Sequence, residues 1–143
     1  MRIIQASFII SLESPPIENG YLYIEDDGTI IHCTETPPIT NQFKVEVLEG
    51  IVCPGFINSH CHLELSHMKT PEAVGITKFI DLIPKQRVQK SSKIKEAIKL
   101  ADEKMQASGI VAVGDICNTN DTIEVKKNSS IKYHSFVELY GLN

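Results

Sequence analysis

Long apolar runs and excess positive charge are both missing from this 143-residue sequence, and each absence excludes a class of protein. No run of about 18 apolar residues occurs, so the sequence predicts no membrane span. The first ten residues lack the apolar segment and cleavage site of a signal peptide, and they are better interpreted as a strand. The net charge of −4 argues against nucleic acid as a partner, because no basic surface is available to neutralise phosphates.

Cysteine motifs and several catalytic motifs are also missing. The four cysteines are scattered without a Cys-x-x-Cys pair, and they are Cys33, Cys53, Cys61 and Cys117. Reduced thiols in a cytoplasmic protein fit this spacing better than a disulfide framework. The sequence contains no glycine-rich phosphate loop, no Gly-x-Ser-x-Gly elbow and no zinc signature of cytidine-type deaminases.

The remaining composition is that of a globular protein, with 42% apolar and 22% charged residues. Residues 1–53 alternate short apolar strands with turns, such as Asp26-Asp27-Gly28, and they predict a small all-β module of about five strands. Within this module, residues 44–48 and 51–53 read as separate stretches joined by a turn at Glu49-Gly50.

From residue 54 onward the pattern changes to strands that alternate with helices. We expect a helix near residues 79–83 that Pro84 interrupts, and a second helix capped by Ser91 or Ser92 and ended by Gly109. An apolar stripe marks this second helix: Ile94, Ala97, Ile98, Ala101 and Met105. Residues 110–116 predict a strand buried on both faces and residues 131–139 predict another strand, and this βα order implies a parallel sheet with helices outside.

The most informative segment is Pro-Gly-Phe-Ile-Asn-Ser-His-Cys-His-Leu-Glu-Leu-Ser, at residues 54–66. If it is a strand, alternate side chains share a face, and that face carries Phe56, Asn58, His60 and His62. Two histidines at i and i+2 can direct their rings at one metal ion, whereas Cys61 faces the other way. The geometry therefore predicts half of a metal site.

With these residues in view, the sequence resembles the amidohydrolase superfamily of metal-dependent hydrolases. It is most similar to the branch that contains chlorohydrolases and the guanine, S-adenosylhomocysteine and aminofutalosine deaminases. The resemblance implies an α/β fold: the first part of a (β/α)8 TIM-like barrel, with about three βα units in residues 54–143. It also implies a β-sandwich-like module in residues 1–53.

The resemblance implies that His60 and His62 ligate a divalent metal, zinc in the first place, with iron or manganese as alternatives. Family members complete the site with two later histidines and an aspartate, and a carboxylate near strand five moves protons. None of these positions exists here, so we expect an N-terminal fragment or a truncated product, with no catalytic residue of its own. Whether the chain is itself an enzyme therefore stays open.

The function implied is hydrolysis of a C–N bond, as in deamination of a purine- or nucleoside-like small molecule. The alternatives are an inactive chain that folds only by association, or a non-enzymatic metal-binding module. Exposed barrel edges would allow self-association.

Five further residues are candidates for contacting substrate or orienting the metal ligands, because they lie near strand ends where such barrels place their chemistry: Asn58, Glu64, His67, Asp115 and Glu138. For each, the alternative interpretation is a solvated loop residue or a structural hydrogen bond. The other histidines, His32 and His134, are interpreted as structural.

Overall fold

The structure is a computed structural model that describes residues 1–39, 43–69 and 75–139. It divides into two compact units, Met1–Pro54 and Gly55–Asn143. No helix in the described ranges has both the length and the apolar character needed to cross a bilayer.

The first unit is a five-stranded sheet built around its first strand. β1 (Arg2–Ile9) pairs antiparallel with β2 (Ile17–Glu18) and β3 (Tyr21–Ile24), and it pairs parallel with β5 (Val45–Val52). β4 (Ile30–Thr34) extends the sheet beyond β3. The core of the unit consists of side chains from β1 and β3: Ile4, Ala6, Ile9 and Leu22. The described elements of this unit are all strands, which is consistent with the predicted all-β module.

The predicted turn at Glu49-Gly50 is wrong, because β5 runs through it as one strand. The register shifts between Ala6 and Phe8 of β1, which is the pattern of a β-bulge. Gly50 adopts a φ of +124°, which side-chain-bearing residues rarely tolerate, and its N–H donates to Ser7 Oγ at 3.1 Å. The two residues that suggest a turn instead form an irregularity within the strand.

The second unit is a three-stranded parallel sheet in the order β6-β7-β8 with helices in the connections. Its elements are β6 (Phe56–Cys61), a 3-10 turn (Leu63–Leu65), α1 (Ile76–Arg87), α2 (Ser91–Ala107), β7 (Ile110–Cys117), α3 (Ile123–Asn128) and β8 (Lys132–Val137). Ile98 of α2, Leu63 of the turn and Val113 of β7 are fully buried. The expected strand–helix alternation and parallel sheet are therefore present.

Three local expectations about α1 and α2 have different outcomes. Pro84 does not interrupt α1, which continues to Arg87. Ile80, whose carbonyl loses its usual donor, is 57% exposed, so water can replace that bond. Neither serine caps α2: Lys90 occupies the cap position without a side-chain hydrogen bond, since both serines are already helical. Gly109, with a φ of +78°, follows the end of α2 as predicted.

Candidate metal centre

The two histidines of the central segment lie at the carboxyl end of β6. His60 is the second-to-last residue of the strand, which ends at Cys61. His62 connects the strand to the 3-10 turn. Their ring centroids are 5.2 Å apart and the ring planes are inclined by 74°. The pairing with β7 shifts register between Asn58 and Cys61, which re-aims the strand at this point. The two imidazoles are therefore in a T-shaped, edge-on contact.

Unpartnered nitrogen atoms mark the same region. The Nδ1 atom of His62 is buried and has no hydrogen-bond partner among the residues that the structure describes. Buried polar atoms are normally satisfied, so an exception of this kind fits a site that takes a metal ion. Imidazole nitrogen is a preferred zinc donor. The donor set present, two imidazoles at the end of one strand, thus fits a divalent metal.

His67, beyond the 3-10 turn, has both ring nitrogens buried, and neither has a hydrogen bond within the described part of the chain. It does not complete a ligand set, because no three His, Cys, Asp or Glu side chains within residues 1–39, 43–69 and 75–139 are grouped closely enough to hold a metal ion. Catalytic zinc normally has three protein ligands. The described part of the chain therefore brings together two imidazoles, those of His60 and His62, without a third donor beside them.

Asp115 on β7 faces the backbone of the histidine segment. It is 0% exposed, and its Oδ1 accepts the Leu63 N–H at 2.8 Å. Its Oδ2 pairs with Lys126 Nζ at 2.6 Å and lies 3.2 Å from Cys117 Sγ. The Asp115 carboxylate therefore contacts three groups of the protein itself: the Leu63 N–H, Lys126 Nζ and Cys117 Sγ.

Glu64 in the 3-10 turn is 2% exposed and also bonded internally. Its Oε1 accepts a hydrogen bond from Arg87 at 2.5 Å. Its Oε2 accepts the backbone N–H groups of Asn118 and Thr119 at 2.8 and 2.7 Å. Glu64 thus connects the segment after β6 to the loop after β7.

Asn58 and Glu138 take smaller parts in the same region. Asn58 Oδ1 accepts the N–H of His60 at 3.3 Å, so it contacts the backbone of a proposed ligand. Glu138 is exposed, and its carbonyl and carboxylate accept the Asn118 side-chain amide at 2.7 and 3.3 Å. The three loops that follow β6, β7 and β8 are therefore linked through Glu64, Asn118 and Glu138.

Two titratable groups beneath the histidines have shifted pKa values. Burial, reinforced by the charge of Asp115, raises the pKa of the Cys61 thiol to about 11, which keeps it protonated. Burial alone would lower the pKa of Lys126, but hydrogen bonds to Asp115 and Cys117 outweigh burial and raise it. Lys126 therefore stays cationic and balances the buried carboxylate.

Sequence reasoning missed Lys126, Arg87 and Asn118 as members of this network. Each is far in sequence from the histidines and carries no motif. A buried carboxylate needs a partner, so Asp115 in an apolar strand signals that some cation exists. The sequence does not show which cation this is, because Lys126 lies on α3 and reaches Asp115 only through the tertiary fold.

The chain resembles known proteins in sequence and in fold. The chain is 27% identical over 121 residues to 5'-deoxyadenosine deaminase of Methanococcoides burtonii, a match that covers 80% of this chain and 27% of that protein. It therefore spans about a quarter of the length of that curated relative.

Solved structures share the fold. Helicobacter pylori aminofutalosine deaminase, in complex with methylthio-coformycin, matches with a TM-score of 0.78 and 22% identity, over 99% of this chain and 37% of that one. Guanine deaminase from C. acetobutylicum, with bound guanine, matches with a TM-score of 0.75 and 13% identity, over 94% and 35%. Atrazine chlorohydrolase from Arthrobacter aurescens, complexed with zinc, matches with a TM-score of 0.71 and 19% identity, over 94% and 35%.

The model of the Amidohydrolase family matches residues 51–139. That range is more than half of the sequence and includes both histidines of the candidate centre. The chain belongs to the amidohydrolase family.

Proposed function

We propose that this chain supplies two metal ligands, His60 and His62, to a metal-dependent aminohydrolase. The observation that carries the proposal is the pair of imidazoles with centroids 5.2 Å apart at the end of β6, one of them with a buried and unpartnered nitrogen. The zinc in the related chlorohydrolase structure supports zinc as the metal.

In this proposal the two histidines hold the ion through ring nitrogens, and the carboxyl ends of the strands form the floor of the site. A divalent ion, when bound, acidifies water and supplies a nucleophile near neutral pH. The half-buried thiol of Cys61 stays protonated and does not compete as a ligand, because its pKa is raised to about 11.

The fold proposed for residues 54–143 is the first part of a (β/α)8 barrel, with β6, β7 and β8 as its first three strands. This is supported by the parallel order β6-β7-β8 and by the fold shared with the larger enzymes. We infer that the remaining ligands, which the family resemblance assigns to later strands, come from outside the described residues. The second candidate is a metal-binding chain without activity of its own. The observation that supports this candidate is that the described residues bring together only two imidazoles.

The substrate class is a purine- or nucleoside-like amine. Support comes from the relatives, one named as a 5'-deoxyadenosine deaminase and another as a guanine deaminase with bound guanine. The structural likeness to a chlorohydrolase supports an alternative, in which the same fold releases chloride instead of ammonia.

The metal centre is tested by titrating zinc into the protein in competition with a coloured chelator. The substitutions His60→Ala and His62→Ala should each weaken zinc affinity by more than the roughly 10–100-fold that loss of a group behind a ligand costs. His134→Ala is the matched control, because His134 is exposed and its ring makes an edge-on contact with Phe136, outside the histidine pair. Equal affinity in all three variants would contradict the metal assignment.

The substrate class is tested separately, by ammonia release from adenine and guanine nucleosides with zinc present. The assay uses the product of the complete reading frame. We expect the parent protein to release ammonia and the His60→Ala variant to release none. Tight zinc binding without ammonia release from any such amine would overturn the aminohydrolase assignment and favour the metal-binding alternative.

A further inference from the structure

We propose that Glu64 and Asp115 are positioning residues that clamp the segment after His62 from two sides. The proposal rests on the proposed function, since it concerns the position of a metal ligand. It assigns both carboxylates to the protein frame and not to substrate. Their targets are the two residues that directly follow His62: Leu63, held by Asp115, and Glu64 itself.

The first half of the clamp is the contact between Asp115 and Leu63. The Leu63 N–H, one peptide beyond His62, donates to Asp115 Oδ1 at 2.8 Å, and the Leu63 side chain is fully buried. Asp115 is itself immobilised, because Lys126 pairs with its Oδ2 at 2.6 Å. Lys126 also donates to Ser135 Oγ on β8 at 2.8 Å. The position of Leu63 is thus fixed by β7, α3 and β8 together.

The second half is Glu64, which uses both of its oxygens. Three donors occupy them: the Arg87 guanidinium and the N–H groups of Asn118 and Thr119. A carboxylate with this set of donors is held in one orientation. Residue 64 is therefore attached to the loop after β7 and to the end of α1.

His62 lies between fixed points on both sides. Before it, Cys61 pairs with Asp115 in the β6–β7 ladder. After it, Leu63 and Glu64 are held as described. A buried carboxylate is costly unless its partners are well placed, and two of them beside one histidine indicate a demand for a defined backbone position. That demand is what a metal ligand requires.

The test compares three matched substitutions, Glu64→Gln, Asp115→Asn and Asp102→Asn. Each replaces a buried carboxylate that accepts three donors by an amide with one carbonyl oxygen. Asp102 on α2 bonds Gln106, Ser129 and Tyr133 and neither Leu63 nor a residue that Glu64 binds, so it serves as the structural control. Zinc affinity is measured by chelator competition, and thermal unfolding is measured on the same samples.

We expect Glu64→Gln and Asp115→Asn to weaken zinc affinity about 10–100-fold, while Asp102→Asn lowers only the unfolding temperature. Unchanged affinity in the first two, or an equal loss in all three, would overturn the clamp. His62→Ala is measured alongside: if it binds zinc as tightly as the parent, the metal assignment itself fails. Loss in His62→Ala alone refutes the clamp and leaves the metal centre intact.

A second measurement needs no variant and applies even if a substituted chain does not fold. In the parent chain, the amide hydrogens of Leu63, Asn118 and Thr119 should exchange slowly with deuterium, because each donates to a buried carboxylate. Exchange of all three at the rate of an unstructured peptide would contradict the clamp.

Discussion

At the scale of single residues, Asp102 illustrates how this chain buries a charge. Its carboxylate is 5% exposed and accepts hydrogen bonds from Gln106 at 2.7 Å, Ser129 Oγ at 2.7 Å and Tyr133 OH at 2.6 Å. Burial and the hydrogen bond to Asp102 raise the pKa of Tyr133 above its ordinary value, so the phenol remains a donor. The network joins α2 to the segment that enters β8.

Tyr133→Phe removes one donor to this buried carboxylate. We expect a loss of about 1.5–3 kcal/mol in the free energy of unfolding, the usual contribution of a hydrogen bond to a charged group. Urea denaturation followed by circular dichroism measures it. Tyr23→Phe is the control, because the Tyr23 ring contacts His32 and its hydroxyl has no hydrogen bond among the described residues. A similar, small change in both variants would contradict the assigned role.

Some residues of the candidate site could be predicted from the sequence, and the contacts of others could not. The period-two pattern identifies His60 and His62 because the pattern and the ligand spacing are both local. It also nominates Glu64 and Asp115, yet it cannot distinguish contact with substrate from contact with the protein. That distinction depends on Asn118, Lys126 and Arg87, whose approach is set by the tertiary fold.

At the scale of elements, the close approach of β6 and β7 depends on Gly114. A Cβ atom at this position would lie 2.8 Å from the carbonyl oxygen of Ser59 on the neighbouring strand. A carbonyl within a paired strand cannot move away without disturbing the ladder that carries the histidines. The absence of a side chain at Gly114 is therefore a packing requirement.

Gly114→Ala should lower the free energy of unfolding by about 1–3 kcal/mol, the usual cost of overpacking. The urea midpoint measures this loss. Gly20→Ala is the comparison, because the three atoms nearest to its Cβ would be side-chain atoms of Ile17 and Ile9, and none of them is a backbone atom of a paired strand. The expectation is a clearly smaller loss for Gly20→Ala. Equal midpoints for the parent and Gly114→Ala would refute the packing argument.

Elements were predictable where one local pattern dominates and unpredictable where tertiary context overrides it. The 3.6-residue stripe locates α2, and the apolar run locates β7. In contrast, Pro84 and Glu49-Gly50 carry strong breaking signals, yet a helix and a bulged strand continue through them. A residue pattern gives the local preference, and the neighbouring elements decide whether the chain follows it.

At the scale of the whole molecule, the parallel sheet leaves apolar strands at its borders. Among the described strands, β6 and β8 each pair on one side only. Large apolar side chains on them are exposed: Phe56, Ile57, Phe136 and Val137. Unpaired strand edges with apolar side chains promote pairing with another chain. We propose that a second copy of this chain pairs there when no other partner covers the edge.

Val137→Lys tests this proposal, because Val137 is 78% exposed at the end of β8 and a charge on an edge strand opposes pairing. Sedimentation velocity over a range of protein concentrations should show reversible association of the parent and a weaker association, by about tenfold or ~1.4 kcal/mol, of the variant. Val88→Lys is the matched control: Val88 is 81% exposed but lies between α1 and α2, away from either edge. A parent that sediments as a monomer at every concentration would refute pairing at the edge. Weakening by both substitutions alike would indicate a general effect of charge, because only a contact specific to β8 distinguishes Val137 from Val88.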